Sequence, residues 1–287
     1  MSIELKHISY SYEEPGSAHS GREILRDINL IINPEDFTAL IGPTGSGKST
    51  LVQHLNLLLH AASGDILYDG ESIYADGYDR KGLRSRVGMV FQYPEYQLFE
   101  TDVITDVSFG PKNLGLDEAE ARERAEQALG LVGLEKEFWT KSPFELSGGQ
   151  KRRAAVAGVI AMKPRYLVLD EPAAGLDPKG RRELLDAISE IHKRAGIGIL
   201  LVSHSMDDVA QYADKMIVLE GGQVRFTGTP KEVFRHEKEL SSMGLSVPSA
   251  SHIASLLRAR GIELSEDIIT IDELADAVTA AAAKGRV

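Results

Sequence analysis

The stretch Gly42-Pro-Thr-Gly-Ser-Gly-Lys-Ser49 places three glycines ahead of an ammonium and a hydroxyl. It matches the phosphate-loop pattern G-x-x-x-x-G-K-[ST]. Glycines let the backbone wrap so that amide groups converge on a β-phosphate, and a helix that follows adds the favourable end of its dipole. Gly42, Pro43, Thr44, Gly45, Ser46, Gly47 and Thr50 would then form the cradle. Lys48 would reach the β- and γ-phosphates, and Ser49 would ligate Mg²⁺.

Asp170 and Glu171 follow the apolar run Tyr166-Leu-Val-Leu. Successive side chains on a strand point opposite ways. Asp170 can therefore face the metal while Glu171 faces a water in line with the γ-phosphate, which it positions and deprotonates. Leu146-Ser-Gly-Gly-Gln150 precedes a basic helical run, Lys151-Arg-Arg-Ala. Ser147 with the amides of Gly148 and Gly149 thus makes a second anion site at a helix start. Two phosphate-binding helix ends in one chain need a reason.

Elements able to position these groups are legible around them. Residues 3–12 alternate apolar and polar, as does the run from Ile24 to Ile32, and both read as half-buried strands. Phe37–Ile41 is a short apolar strand that stops at the glycine-rich turn, and Lys48–His60 has helical spacing. Gly88–Phe91 looks like a further buried strand, and Tyr166–Asp170 and Gly198–Ser203 are nearly all apolar, as expected of strands covered on both faces. Helical periodicity marks 117–131, 151–162 and 179–195, and Met216–Thr227 reads as a hairpin about Gly221-Gly222. Strand and helix alternate, which predicts an α/β fold with a mostly parallel sheet. Beyond about Arg235 two short helices, Ser249–Arg260 and Asp272–Lys284, suggest a small appended module for packing or dimerisation.

The chain has 287 residues and a net charge of −11, which argues against general nucleic-acid binding. It has no cysteine, so disulfide, zinc-thiolate and thiol-nucleophile chemistry are excluded. MSIELKHISY lacks a secretion-signal pattern, and no apolar run reaches the roughly 18 residues needed to span a bilayer. His7, His19, His54, His60, His192, His236 and His252 show no metal-ligand spacing and read as structural or solvated.

LSGGQ after a phosphate loop resembles the signature of ATP-binding-cassette (ABC) ATPases, in which that site contacts the ATP held by a facing subunit. Further landmarks fall in that family's order: Gln92 as the Q-loop, Ala174-Gly-Leu-Asp-Pro178 as the D-loop, and His204 after an apolar strand as the switch histidine. The resemblance implies a P-loop core with an N-terminal antiparallel β part and a helical signature subdomain at about 93–162. It divides the chain into an ATPase domain, 1–240, and a C-terminal module, 241–287. It implies ATP and Mg²⁺, with Lys48, Glu171 and His204 catalytic and Ser49, Gln92 and Asp170 at the metal. Ser147, Gly148, Gly149 and Gln150 would contact the nucleotide across the dimer, and Tyr12 would stack on adenine, with Tyr10 nearby as an alternative.

Residues 91–113 and 146–178 further resemble energy-coupling factor (ECF) transporter ATPases of the cobalt-transporter type, and the C-terminal appendage points the same way. Ala173 departs from that pattern, which usually has Thr there. The resemblance implies a peripheral protein on the cytoplasmic face of the membrane. Its partners would be a second cassette, a paralogue rather than a copy, a transmembrane coupling protein with arginine-bearing helices and, indirectly, a substrate-binding membrane protein for a vitamin or metal ion. In the loop after Gln92, Tyr93, Tyr96, Leu98 and Phe99 would supply apolar contact, and Glu95, Glu100 and Asp102 would pair with those arginines. An amino-acid importer and a soluble cassette acting on nucleic acid or in translation are the competing readings.

Overall fold

The computed structural model describes residues 2–12 and 23–283. Two sheets meet face to face. The first is antiparallel, built from β1 (Ile3–Ser11), β2 (Glu23–Ile32), β4 (Ser63–Tyr68) and β5 (Glu71–Ser72) in the order β2-β1-β4-β5. The second has the order β10-β9-β3-β8-β7-β6, in which β3 (Phe37–Ile41), β6 (Val87–Val90), β7 (Tyr166–Asp170), β8 (Gly198–Val202) and β9 (Lys215–Glu220) run parallel. β10 (Gln223–Gly228) returns antiparallel through a two-residue turn at Gly221-Gly222. Both turn glycines have positive φ, the conformation such a hairpin needs.

The all-apolar strands are buried on both faces because each face meets a different layer. On one face Leu40, Val168 and Leu200 pack with Ile3, Leu5 and Ile28 of the antiparallel sheet and with Leu51 and Leu55 beside α1 (Lys48–His54). On the other, Phe37, Leu167 and Leu169 pack against α3 (Val103–Asn113), α4 (Glu118–Leu131), α5 (Gly148–Ile160) and α6 (Pro178–Ala195). The signature region therefore shares its apolar core with the sheet. α2 (Arg80–Arg86) leads into β6, and α7 (Met206–Tyr212) follows β8.

α8 (Pro230–Phe234) and α9 (Glu237–Ser242) carry the chain to α10 (Ser249–Ala259) and α11 (Ile271–Ala283), which close on a small core of Ala250, Ala254, Ile268 and Leu274. These helices are not detached: Leu245 and Ile269 pack with Ile41, Met206 and Val218 of the preceding body. Lys231–Glu273 and Arg235–Asp267 ion pairs, each 2.6 Å, pin them further. Among the described residues no helix is long and apolar enough to cross a membrane.

The helix expected over 48–60 stops at His54, and Leu57 turns through a left-handed conformation (φ 57°). Apolar spacing continues past the stop, but the chain must reverse to lay β4 beside β1, and Arg84 caps the freed carbonyls of Asn56 and Leu57. The expected loop from Glu13 to Gly21, and Lys284 at the expected end of the last helix, lie outside the described residues.

Candidate functional site

Strand order assembles the site. β3, β8, β7 and β6 are neighbours, and the segments after their C-terminal ends carry the phosphate loop, His204, Asp170-Glu171 and Gln92 respectively. Open parallel sheets present their ligand crevice at that edge.

The phosphate loop has the features an anion requires. α1 begins after Gly47 (φ 102°) with no side-chain cap, so its first amide groups are left for another acceptor. Lys48 is buried, and its Nζ donates to the carbonyls of Gly42 at 2.7 Å and Pro43 at 3.0 Å. Burial pushes the Lys48 ammonium below its ordinary range, while the nearby Glu171 and Asp170 charges oppose that shift. Ser46 Oγ is buried without a partner among the described residues. The tip of the β9–β10 hairpin braces the loop from outside, with the Gly222 amide donating to the Ser46 carbonyl at 3.2 Å. A Cβ on Gly222 would stand 2.2 Å from the Ile24 carbonyl oxygen, and one on Gly42 would stand 2.1 Å from that of Leu219, so neither position admits a side chain.

Asp170 is buried at the end of β7, and burial raises its carboxyl against the hydrogen bond from Ser49. A hydroxyl beside a carboxylate next to a phosphate cradle is the kind of donor set that could hold a magnesium ion. Glu171 is not the next strand residue that alternation assumed. β7 ends at Asp170, and Glu171 takes a left-handed turn (φ 50°). That conformation is unfavourable for a residue with a Cβ and marks a backbone held by its surroundings. The Glu171 amide donates to the Val202 carbonyl, and its own carbonyl accepts from the Ala174 amide, both at 3.1 Å. Its carboxylate lies 2.8 Å from His204 Nε2 and accepts a long 3.5 Å bond from Gln92 Nε2. A pocket of about 230 Å³ opens beside Glu171 and His204, with room for water.

Tyr12 is half exposed and its hydroxyl lies 3.3 Å from Thr50 Oγ1, within the phosphate-loop helix. Tyr10 instead packs edge-on against His54 and joins the core, which favours Tyr12 of the two aromatics. The two rings meet edge to face at 5.0 Å. Ser147 caps α5 in a reciprocal box with Gln150, and Ser147 and Gly148 are exposed. Among the described residues no hydrogen bond or ion pair joins this signature to the phosphate loop of the same chain. Thr44, Gly45 and Ser49 are also exposed, while Pro43 is half-buried.

The loop after Gln92 departs from expectation. Glu95 is not free: it forms a two-pronged pair with Arg152 at 2.6 and 3.0 Å, both side chains largely buried. Asp102 caps α3 by accepting from the Thr105 amide at 2.9 Å. Leu98 is buried. Of the three acids expected to meet a partner's arginines, Glu100 alone has no side-chain bond of its own recorded among the described residues; its backbone amide donates to Asp106. Tyr93, Tyr96 and Phe99 are exposed as expected. Phe99 meets Phe109 edge to face at 5.0 Å, and this pair lines a groove of about 700 Å³ between α2, α3 and α5. Phe109 and Arg152 were not anticipated. Arg152 had a signal: it shares an i, i+4, i+8 row with the apolar Val156 and Ile160, and a cation on a buried row needs partners.

A family model described as ABC transporter matches residues 25–174. The chain is 50% identical over 273 residues to the energy-coupling factor transporter ATP-binding protein EcfA2 of Caldanaerobacter subterraneus subsp. tengcongensis, covering 95% of each chain. It is 49% identical to the protein of the same name from Clostridioides difficile, again over 95% of each. Among solved structures, CbiO1 of Clostridium perfringens, part of the ABC transporter complex CbiONQ, superposes with a TM-score of 0.74 at 39% identity, covering 84% of this chain and 93% of that one. The dimeric cassette MJ0796 bound to ADP and Pi gives 0.70 at 25% identity, covering 79% and 98%. With the phosphate loop, signature and switch histidine set on this strand order, the chain belongs to the ABC transporter family, among the energy-coupling factor ATP-binding proteins.

Proposed function

We propose that this chain is the ATP-hydrolysing subunit of an ECF-type importer for a vitamin or metal ion, working in a head-to-tail pair with a second, paralogous cassette. The observation that carries it is the Glu171 carboxylate held between His204 and Gln92, beside the Ser49–Asp170 pair and the uncapped phosphate-loop helix. Glu171 takes the proton of a water attacking the γ-phosphorus of ATP, His204 holds the carboxylate in place, and Lys48 meets the phosphate charge. Ser49 and Asp170, with Gln92 beside them, would hold Mg²⁺, which offsets charge on the β- and γ-phosphates when bound. The Ser147–Gln150 signature, exposed at Ser147 and Gly148, supplies the second half of the facing subunit's site. ATP then holds the two cassettes together until hydrolysis removes the link.

Tyr12 stacks on the base. Tyr12→Ala is expected to weaken ATP and ADP alike by roughly tenfold or more, since base–aromatic stacking contributes about 1–3 kcal/mol. Calorimetric titration with both nucleotides checks this, and unchanged affinities would return Tyr12 to a purely structural role.

The groove containing Phe99 and Phe109 receives a helix of the membrane coupling protein, and this holds the chain at the cytoplasmic face of the membrane. Its α2 wall carries Arg80, Lys81 and Arg84, so the cationic side belongs to this chain and the partner helix needs carboxylates there. Phe109→Asp is expected to cut recovery in the membrane fraction at least tenfold while ATP binding stays unchanged. Full recovery would place the docking surface elsewhere. Ile253 and Leu256, exposed one turn apart on α10, are the surface through which the C-terminal module meets the partner cassette.

Mass spectrometry of everything that co-purifies with the tagged chain from detergent-solubilised native membranes tests the assignment. A second cassette, one coupling protein and small membrane binders are expected. A symmetric pair of permease subunits would assign the chain to another importer class. Nucleic acid or ribosomes with no membrane protein would remove it from transport.

A further inference from the structure

Arg152 has no place in the chemistry described above. It lies on the core-facing row of α5, with a side chain only 4% exposed. A guanidinium keeps its charge when buried, so acceptors must come to it. Two separate segments do. Nε and one terminal nitrogen grip the Glu95 carboxylate at 3.0 and 2.6 Å. The other terminal nitrogen donates to the Ala174 carbonyl. The ring of Tyr93, itself in a left-handed turn (φ 58°), lies 5.8 Å from the guanidinium carbon. One cation thus fastens the signature helix both to the exposed loop after Gln92 and to the turn after Glu171.

The path from there to the reacting groups is short. Ala174 is bonded on one side to Arg152 and on the other, through its amide at 3.1 Å, to the carbonyl of Glu171. Glu171 holds its unfavourable left-handed conformation between that bond and the one to Val202. Arg152 secures the far end of this turn. Glu95 is the outer end of the same link, since its side chain is 16% exposed and it lies two residues after the exposed Tyr93.

We infer that Arg152 is a positioning residue for ATP hydrolysis: it transmits the setting of the Tyr93–Glu95 loop to the backbone that aims Glu171. This rests on Glu171 being the base. The test uses the complex that co-purifies with the tagged chain, and measures kcat and KM for ATP, the Kd of a fluorescent ATP analogue, and Tm. Arg152→Met is expected to lower kcat tenfold or more with KM and Kd within twofold, and to lower Tm because Glu95 is left buried without its partner. Glu95→Gln/Arg152→Met removes both charges and is expected to recover Tm but not kcat. Recovery of kcat in the double variant overturns the inference, since Arg152 would then serve only to neutralise Glu95; unchanged kcat in Arg152→Met does the same. Should Arg152→Met fail to fold, Glu95→Gln keeps the cation but loosens its grip. Its kcat should fall several-fold at constant KM, and no fall overturns the inference. Glu171→Gln measured alongside separates the two levels: wild-type turnover in that variant removes the base itself, whatever Arg152 does.

Discussion

Glu171→Gln is expected to bind ATP with wild-type affinity and to hydrolyse it roughly 10²–10⁴-fold more slowly, the range that a positioned general base contributes. The amide has the shape of the carboxylate and can keep the contact to His204, now 2.8 Å away, but it cannot accept the proton of the attacking water. Nothing in the backbone turn requires the charge, because the bonds at Glu171 to Val202 and Ala174 are made by its amide and carbonyl. Binding and hydrolysis therefore separate in this variant. With ATP held and unspent, the paired cassettes stay closed, so size-exclusion chromatography in ATP should show a persistent pair that the wild type shows only briefly. Single-turnover hydrolysis at the wild-type rate would mean that another group activates the water.

The second large effect is on binding. Lys48→Met keeps the apolar stem and removes the ammonium, and ATP affinity is expected to fall by about 2–5 kcal/mol, roughly 30-fold to several thousand-fold. The size follows from the surroundings. Lys48 is buried, its hydrogen-bonded neighbours among the described residues are the carbonyls of Gly42 and Pro43, and Asp170 and Glu171 lie close enough to raise its proton affinity. Without the ammonium, phosphates would enter a loop facing two carboxylates with one cation fewer to offset them. AMP lacks the β- and γ-phosphates, so its affinity should be nearly unchanged. Calorimetric titration with ATP and AMP checks both halves, and equal loss for the two nucleotides would indicate a collapsed loop rather than a lost charge.

The loop of aromatics and acids after Gln92 shows where composition misleads. Rings and carboxylates crowded together suggest a surface waiting for a cationic partner. Two of those carboxylates already have internal work: Asp102 starts a helix, and Glu95 meets a cation 57 positions away. The rings of Tyr93, Tyr96 and Phe99 remain exposed, while Leu98, expected to join them, is buried. The electrostatic half of the expectation changes, because the groove wall contributed by α2 is basic. A carboxylate in a list of residues carries no mark of whether its partner lies in the same chain.

The sequence by itself determined the class of fold and marked the candidate reaction groups. Gly42–Thr50, Asp170-Glu171, Ser147–Gln150 and His204 are short contiguous motifs, and local backbone geometry makes them recognisable wherever they lie. Apolar runs of five residues were enough to identify β3, β7 and β8, since strands covered on both faces have no polar side to hide them. Contacts between distant segments were settled by the tertiary structure alone. These include the brace of Gly222 on the phosphate loop, the left-handed turn at Glu171, the early end of α1, and the joining of Glu95, Arg152 and Ala174. Each depends on which strands become neighbours and how closely layers approach. Periodicity records whether a residue faces a core, but the partner it finds there is fixed only when the whole chain packs.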